Sequence, residues 1–392
     1  MNATDTTVPS RGRPYANFTS IPYPEPPDHL LVATTAFYVI IFLLGIGGNL
    51  LVLLVFLSCR SLRTFINFLF LNLCLADFLV LLISGPTAVL DIYAMEVWYL
   101  GGVMCKTVPF VENMVANASI LSILAVSIER YRVASRPLSQ HGGSCNAAVK
   151  TMVMIWVISA AVASPILFIT KYKSALLLDG TSVKVCKTTL HLSWHKIYVL
   201  LSTVLFFLVP FVVLVFLYSK MCLRVLSSRR SSMEEIPAQM KEVNRLKRQL
   251  LLIVLTVVLA FFLCQTPYRA IVLWMLFDTT KSVRNLGFVG YLSLIYFTRI
   301  LLYLNHAINP FLYNFVSRKF RRALTSMCCR TLRRKSFNDF RDGRNRNFAV
   351  EIQNRLGCGQ LRSVEHRHCL SPRHRHRHRQ NDFLMLYENL IE

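Results

Sequence analysis

Seven stretches of this chain, roughly 31–57, 66–91, 103–131, 148–170, 196–222, 249–276 and 287–314, are almost wholly apolar. A helix needs about 20 such residues to cross a lipid hydrocarbon core. Lipid offers no partner to a backbone N–H or C=O, so stretches of this kind span as α-helices, whose backbone bonds are internal. Soluble domains intersperse apolar with polar residues. Here 54% of the chain is hydrophobic, and that fraction is gathered into blocks, with a mean hydropathy of +0.45. The expected fold is an all-α membrane protein, a seven-transmembrane helix bundle with a short amphipathic eighth helix in the basic stretch Phe315 to Ala323. The expected organisation is a segment 1–30, a helical domain 31–327 and a disordered polar tail 328–392. A seven-helix transporter or channel would call for repeated halves or rings of pore charges, and the sequence shows neither.

The formal net charge is +24, yet its placement argues against a nucleic-acid partner. Basic residues fall in alternate connections: Arg60 and Arg63, Arg132 and Arg136, a cluster from Arg224 to Arg248, then Arg318 to Arg322 and the tail. By the positive-inside rule these face the cytoplasm, which puts the N-terminus outside and, after seven crossings, the C-terminus inside. The expectation is a multi-pass plasma-membrane protein whose first helix acts as its own insertion signal, since the N-terminus lacks a signal-peptide pattern. Two sequons, at Asn2 and Asn17, lie on the outer segment and are candidate glycosylation sites, whereas the match at Asn117 is buried mid-helix. Of eleven cysteines only Cys105 and Cys186 fall on the outer side, where an oxidising medium favours a disulfide. Closing that loop of about 80 residues would restrict the unfolded chain by about 4–5 kcal/mol. Two free thiols are the alternative. Cys328 and Cys329 follow the basic amphipathic stretch and are candidates for palmitoylation.

Within the apolar blocks a few letters stand out. Glu129 and Arg130 end the third block, and Asn309 and Pro310 interrupt the seventh. A charge at a membrane-helix centre costs about 2.5–3.5 kcal/mol, and a proline deletes a backbone bond that lipid cannot replace. Such residues face a protein interior and serve a function there.

Taken in order, the motifs resemble a rhodopsin-like G protein-coupled receptor. They are GGNLLV with Asn49, NLCLAD with Asp77, WxxGxxxC with Trp98, Gly101 and Cys105, the ERY triplet Glu129-Arg130-Tyr131, Trp156, Pro210 with Tyr218, Pro267, and NPxxY with Asn309, Pro310 and Tyr313. Together they cover residues 31 to about 327. An opsin is excluded because Tyr303 stands where a retinal lysine would be, and Glu112 occupies the position of the amine receptors' aspartate. Longer strings, MCKTVPFVE, SPILFITKYK, DGTSVKVC and PFVVLVFLY, resemble the arthropod ecdysis-triggering hormone receptors. PYR in helix six and RILLYLNHAINP in helix seven are similar to the sister thyrotropin-releasing hormone receptors. A neuromedin-U-like or ghrelin-like peptide receptor is the near alternative.

The resemblance implies a receptor rather than an enzyme. Its ligand would be an amidated neuropeptide, of Pro-Arg-X-amide or thyrotropin-releasing type. Its partners would be a heterotrimeric G protein, of the Gq class with phospholipase C and calcium downstream, together with arrestin and receptor kinases. It implies a ligand cavity lined by Glu112, Asn113, Asn117, Arg269 and Arg299. Glu112 would read a ligand arginine through a bidentate contact, or else neutralise Arg269 or Arg299. It implies a polar core of Asp77, Ser119, Asn305 and Asn309 able to hold an allosteric Na⁺, with His306 the departure where the family has serine. It also implies a transmission set of Ile120, Pro210, Phe261, Gln265 and Pro267, for which plain packing is the alternative reading. The G-protein switch would be Glu129, Arg130, Tyr131, Tyr218, Asn309, Pro310 and Tyr313, with Arg130 paired to Glu129 at rest. Lys247 stands where many members carry an acid that clamps this arginine, so basal signalling is expected.

Three motifs lie outside that frame. RRSS and RRKS, ending at Ser232 and Ser336, match basophilic kinase sites. RHRHRHR carries His374, His376 and His378, which read as a cationic low-complexity run or a zinc site. YENL, from Tyr387, resembles an endocytic signal.

Overall fold

The computed structural model describes residues 26–59, 62, 64–94, 97–135, 145–176, 181–190, 192–230, 238–277, 281–316 and 320–327. Asn2, Asn17, Ser231, Ser232, Cys328, Cys329, Ser336, the histidine tract and the YENL run lie outside them.

Seven helices are long and apolar enough to cross a membrane. They are α1 Asp28–Ser58, α2 Phe65–Ala94, α3 Gly101–Ser135, α4 Asn146–Ile169, α5 Ser193–Arg224, α6 Ala238–Phe277 and α7 Lys281–Val316. A further helix, α8, covers 320–327 and docks Phe320 and Ala323 on the core while Arg321 and Arg322 stay exposed. α6 begins eleven residues before the apolar block at 249, because its polar lead, from Ala238 onward, is rich in Lys, Arg, Gln and Met, all strong helix formers.

In α1 and α2 hydrophobicity does not mark which face turns inward, since both helices are apolar all round. Small and polar residues mark it instead. In α1 the buried stripe runs Thr34, Tyr38, Ile41, Phe42, Gly45, Asn49, Val52, Val55 and Phe56, while Leu43, Leu54 and Leu57 are exposed where lipid would lie. Gly45 lets α1 approach α2 and α7 closely: a Cβ there would sit 2.5 Å from Leu81 Cδ1 and 3.0 Å from Ala307 Cβ. A polar tie joins three more helices. Asn72 Nδ2 donates to Ser122 Oγ at 2.8 Å, and Trp156 Nε1 donates to Asn72 Oδ1 at 2.7 Å. Together these bonds link α2, α3 and α4.

Several of the helices carry a proline in their interior. Pro86, Pro109, Pro267 and Pro310 lie inside α2, α3, α6 and α7. Just before Pro210, α5 widens into a π-helical turn, Val204–Leu208, closed by Val209 N–H on the carbonyl of Val204. Proline brings no N–H for the carbonyl four residues back, and the wider turn accommodates that loss.

The end of the bundle that carries Cys105 is capped by a feature the sequence reading did not foresee, an antiparallel hairpin of β1 Thr170–Leu176 and β2 Ser182–Thr188. The alternation of β2 around Val183 and Val185, and the Asp179-Gly180 pair ahead of it, are its sequence signals. The Cys105–Cys186 disulfide is formed and pins β2 to the start of α3. Trp98 N–H adds a bond to Lys184 O at 2.7 Å, and the Trp98 indole donates to Gly101 O at 2.8 Å. Gly101 takes φ +75°, which explains the glycine of the WxxG motif.

Replacing Gly45 by valine should lower stability by about 1–3 kcal/mol through overpacking against Leu81 and Ala307. A lower thermal midpoint of the detergent-purified protein would register it.

Candidate functional site

At the disulfide end, α2, α3, α6 and α7 bring charged side chains around one space. Glu112 on α3 is half-buried and accepts a hydrogen bond from Tyr303 Oη on α7 at 2.9 Å. The Tyr303 ring is held edge-on by Tyr38 and Phe42 of α1, with centroids 5.6 and 5.4 Å away. Arg299, one turn closer to the disulfide end, donates to Asp91 Oδ2 on α2 at 3.0 Å. Arg299's partner is therefore Asp91, not Glu112, since α2 delivers a carboxylate to that level of α7. The pair is about a third exposed on each side, so its net contribution is about 0–1 kcal/mol. Tyr268 of α6 couples electrostatically to Glu112, Arg269 and Arg299 together, which places it among all three.

Arg269 differs from Arg299. Its Nε is buried and meets no acceptor among the described residues, and its electrostatic neighbours are the hydroxyls of Tyr198 and Tyr268. Asn117 is buried below this level, while Asn113 turns along its own helix, donating to Pro109 O at 2.8 Å. The five residues expected to line a cavity thus divide. Glu112, Arg269 and Arg299 share a cluster with Tyr268, and Asn113 is engaged by its own backbone. Asp91, Tyr268 and Tyr303 were missed as lining residues, because no local pattern tells an inward tyrosine or a helix-end aspartate from its neighbours.

Midway along the bundle lies a fully buried polar core. Asp77 Oδ1 is 2.7 Å from His306 Nδ1, and Asp77 Oδ2 accepts from Asn309 Nδ2 at 2.7 Å. Asn49 Nδ2 donates to the carbonyls of Gly45 and His306, each at 2.9 Å. Ser119 and Asn305 are buried nearby in sequence register, and Ser119 Oγ has no partner among the described residues. Among the described residues, the side-chain groups that meet the Asp77 carboxyl are thus the His306 imidazole and the Asn309 amide.

Ile120, Pro210 and Phe261 are buried, and Phe261 packs against Phe262, itself ringed by Phe207 and Phe211. Gln265 is buried with Nε2 unbonded, one turn of α6 from Arg269. Pro267 is half-buried within α6.

At the opposite end Arg130 is half-buried and couples electrostatically to Tyr218 and Glu129. Glu129 also lies 3.6 Å from Arg132, one turn on. Tyr218 Oη is 3.1 Å from Ser127 Oγ, tying α5 to α3. Arg224 covers Tyr131: its guanidinium sits 4.9 Å from the ring centroid and reaches Ser135 and the Tyr131 hydroxyl. The side chains of Tyr313 and Lys247 lie outside the described residues.

Comparison with known proteins agrees with this architecture. The family model described as 7 transmembrane receptor (rhodopsin family) matches residues 48–313. Growth hormone secretagogue receptor type 1 from Sus scrofa is 31% identical over 76% of this chain and 81% of its own length, and the Homo sapiens protein gives the same figures. Neuropeptide CCHamide-1 receptor from Drosophila melanogaster is 29% identical over 77% of this chain and 61% of its own. The chain belongs to the rhodopsin family of seven-transmembrane receptors. It is a multi-pass membrane receptor and not an enzyme.

The two tyrosines of the cavity wall give opposite expectations. Tyr303→Phe removes the bond to Glu112 and should cost about 1–3 kcal/mol. Tyr38→Phe removes a buried hydroxyl with no partner and should be neutral or mildly stabilising. Thermal unfolding of the two purified variants separates them.

Proposed function

We propose that this chain is a plasma-membrane receptor for an amidated neuropeptide and activates a heterotrimeric G protein, of the Gq class, through phospholipase C and calcium. The disulfide end, with its hairpin and charged cluster, faces outside, and the Arg130 end faces the cytoplasm, as the basic connections require. The relatives' names support a peptide ligand: among them are a neuropeptide receptor and a QRFP-like peptide receptor. The observation that carries the reading is the state of Glu112. It is a half-buried carboxylate bonded by a neutral hydroxyl, with no cation within salt-bridge reach among the described residues. A peptide guanidinium would satisfy it with a bidentate, charge-assisted contact. Arg269, also without an acceptor, would take a carbonyl of the same peptide.

Binding shifts the receptor only to the extent that the peptide prefers the active bundle. In that bundle α6 swings outward, pivoting at Pro267, and the Arg130 end opens to the G protein. Arg130, released from Glu129, contacts the G protein, with Tyr218 and Tyr313 closing beneath it. Arrestin and receptor kinases complete the partners.

The test is calcium release in transfected cells against Pro-Arg-X-amides, pyroglutamyl tripeptide amides, ghrelin and neuromedin U. The ghrelin arm answers the second reading, which the identity to the secretagogue receptors favours. A response to none of these peptides overturns the proposal. For an active Pro-Arg-X-amide, Glu112→Gln should erase at least about tenfold of the preference for arginine over citrulline, the loss of one charge-assisted contact. Undiminished preference rules out Glu112 as the reader. Unstimulated cells should also show inositol phosphate above untransfected controls, because Lys247 cannot clamp Arg130.

A further inference from the structure

The polar core departs from an ion site in a way that carries a consequence independent of which peptide binds. Asp77 is fully buried, and each of its oxygens is met by a nitrogen from α7: His306 Nδ1 lies 2.7 Å from Oδ1, and Asn309 Nδ2 donates to Oδ2 at 2.7 Å. The 2.7 Å His306 contact holds one hydrogen between the carboxyl group and the imidazole, whichever of the two carries it, and the Asn309 amide places a second against the other oxygen. A hard cation needs several oxygens facing inward, and here the positions beside the two Asp77 oxygens are taken by an imidazole nitrogen and an amide nitrogen instead. The imidazole has little freedom to withdraw. His306 is 3% exposed, and its backbone carbonyl is held by Asn49 of α1 at 2.9 Å. Asn49 is anchored in turn to Gly45 O at 2.9 Å, in the tight α1 contact. Of the oxygen cage expected from Asp77, Ser119, Asn305 and Asn309, Asp77 and Asn309 are bonded to each other, and Ser119 Oγ bonds to nothing among the described residues.

We propose that His306 is a built-in substitute for the ion, a clasp that ties α1, α2 and α7 through Asp77 and Asn49 and makes the receptor indifferent to Na⁺. A serine at this position would vacate the space of the ring and supply a hydroxyl oxygen beside Asp77. The clasp needs no diffusible ligand, so the resting packing of α2 on α7 is the same on either side of a sodium gradient.

The experiment uses the full-length receptor purified in detergent and melted in sodium chloride or in N-methyl-D-glucamine chloride of equal ionic strength. The wild type should melt within about 1 °C in the two salts, whereas His306→Ser should melt about 2–4 °C higher in sodium, the linkage shift at ~10 times the dissociation constant. Adding Asp77→Asn to His306→Ser should remove that shift. His306→Ala provides a second opening of the space should the serine variant fail to fold. A sodium-dependent rise in the wild type that Asp77→Asn abolishes overturns the proposal. So does indifference of both His306 variants to sodium, because the imidazole would then not be what excludes the ion.

Discussion

The structure depends first on the absence of water from the hydrocarbon core. Every backbone N–H and C=O there must find its partner inside the chain, and seven apolar stretches do so as seven helices. The same absence decides where polar side chains go. Outward they would meet lipid, so they turn towards one another, and those contacts tie the helices together. Asn72 binds α2 to α3 and α4, and Asp77 binds α2 to α7 through His306 and Asn309. Because lipid is as apolar as leucine, such ties and the close approach at Gly45 select the packing that hydrophobicity leaves open.

The two ends of the bundle then acquire different characters. At the disulfide end, where Cys105–Cys186 anchors the hairpin, lies a cluster in which Asp91 and Arg299 are matched while Glu112 and Arg269 meet no opposite charge of their own among the described residues. At the other end Arg130 lies beside Tyr218 and Glu129, and Arg224 lies over Tyr131. After a non-helical break at Gly287 (φ +67°), α7 runs the whole distance, carrying Arg299 and Tyr303 in the cluster, His306 and Asn309 in the core, and Pro310 just beyond. A single helix with contacts at three levels is suited to two discrete arrangements rather than gradual deformation.

The seven spans, their order and nearly their limits were legible in the sequence, because a run of some 20 apolar residues has few other fates. So were the disulfide cysteines, the ERY triplet and NPxxY, whose polar letters are conspicuous in apolar surroundings. The hairpin was not read, being a short alternating pattern inside a loop. The lead of α6 was not read either, since its helix formers are polar. Among site residues, helical spacing put Glu112 one turn above Asn117, and resemblance to a known family put Arg269 and Arg299 beside it, but neither gave their partners. Asp91 and Tyr303 lie 208 and 191 residues from the groups they bond, and nothing local announces such a pairing.

What the sequence determined by itself was the architecture and the family, because membrane insertion depends on composition and length along the chain, and the motifs are strings. What only the tertiary structure decided was pairing: Arg299 with Asp91, Glu112 with Tyr303, and Asp77 with His306. Each of these depends on the rotation and depth of one helix against another. Small contacts such as Gly45 against Leu81 and Ala307 set that rotation, and an all-round apolar helix does not encode it in its own periodicity.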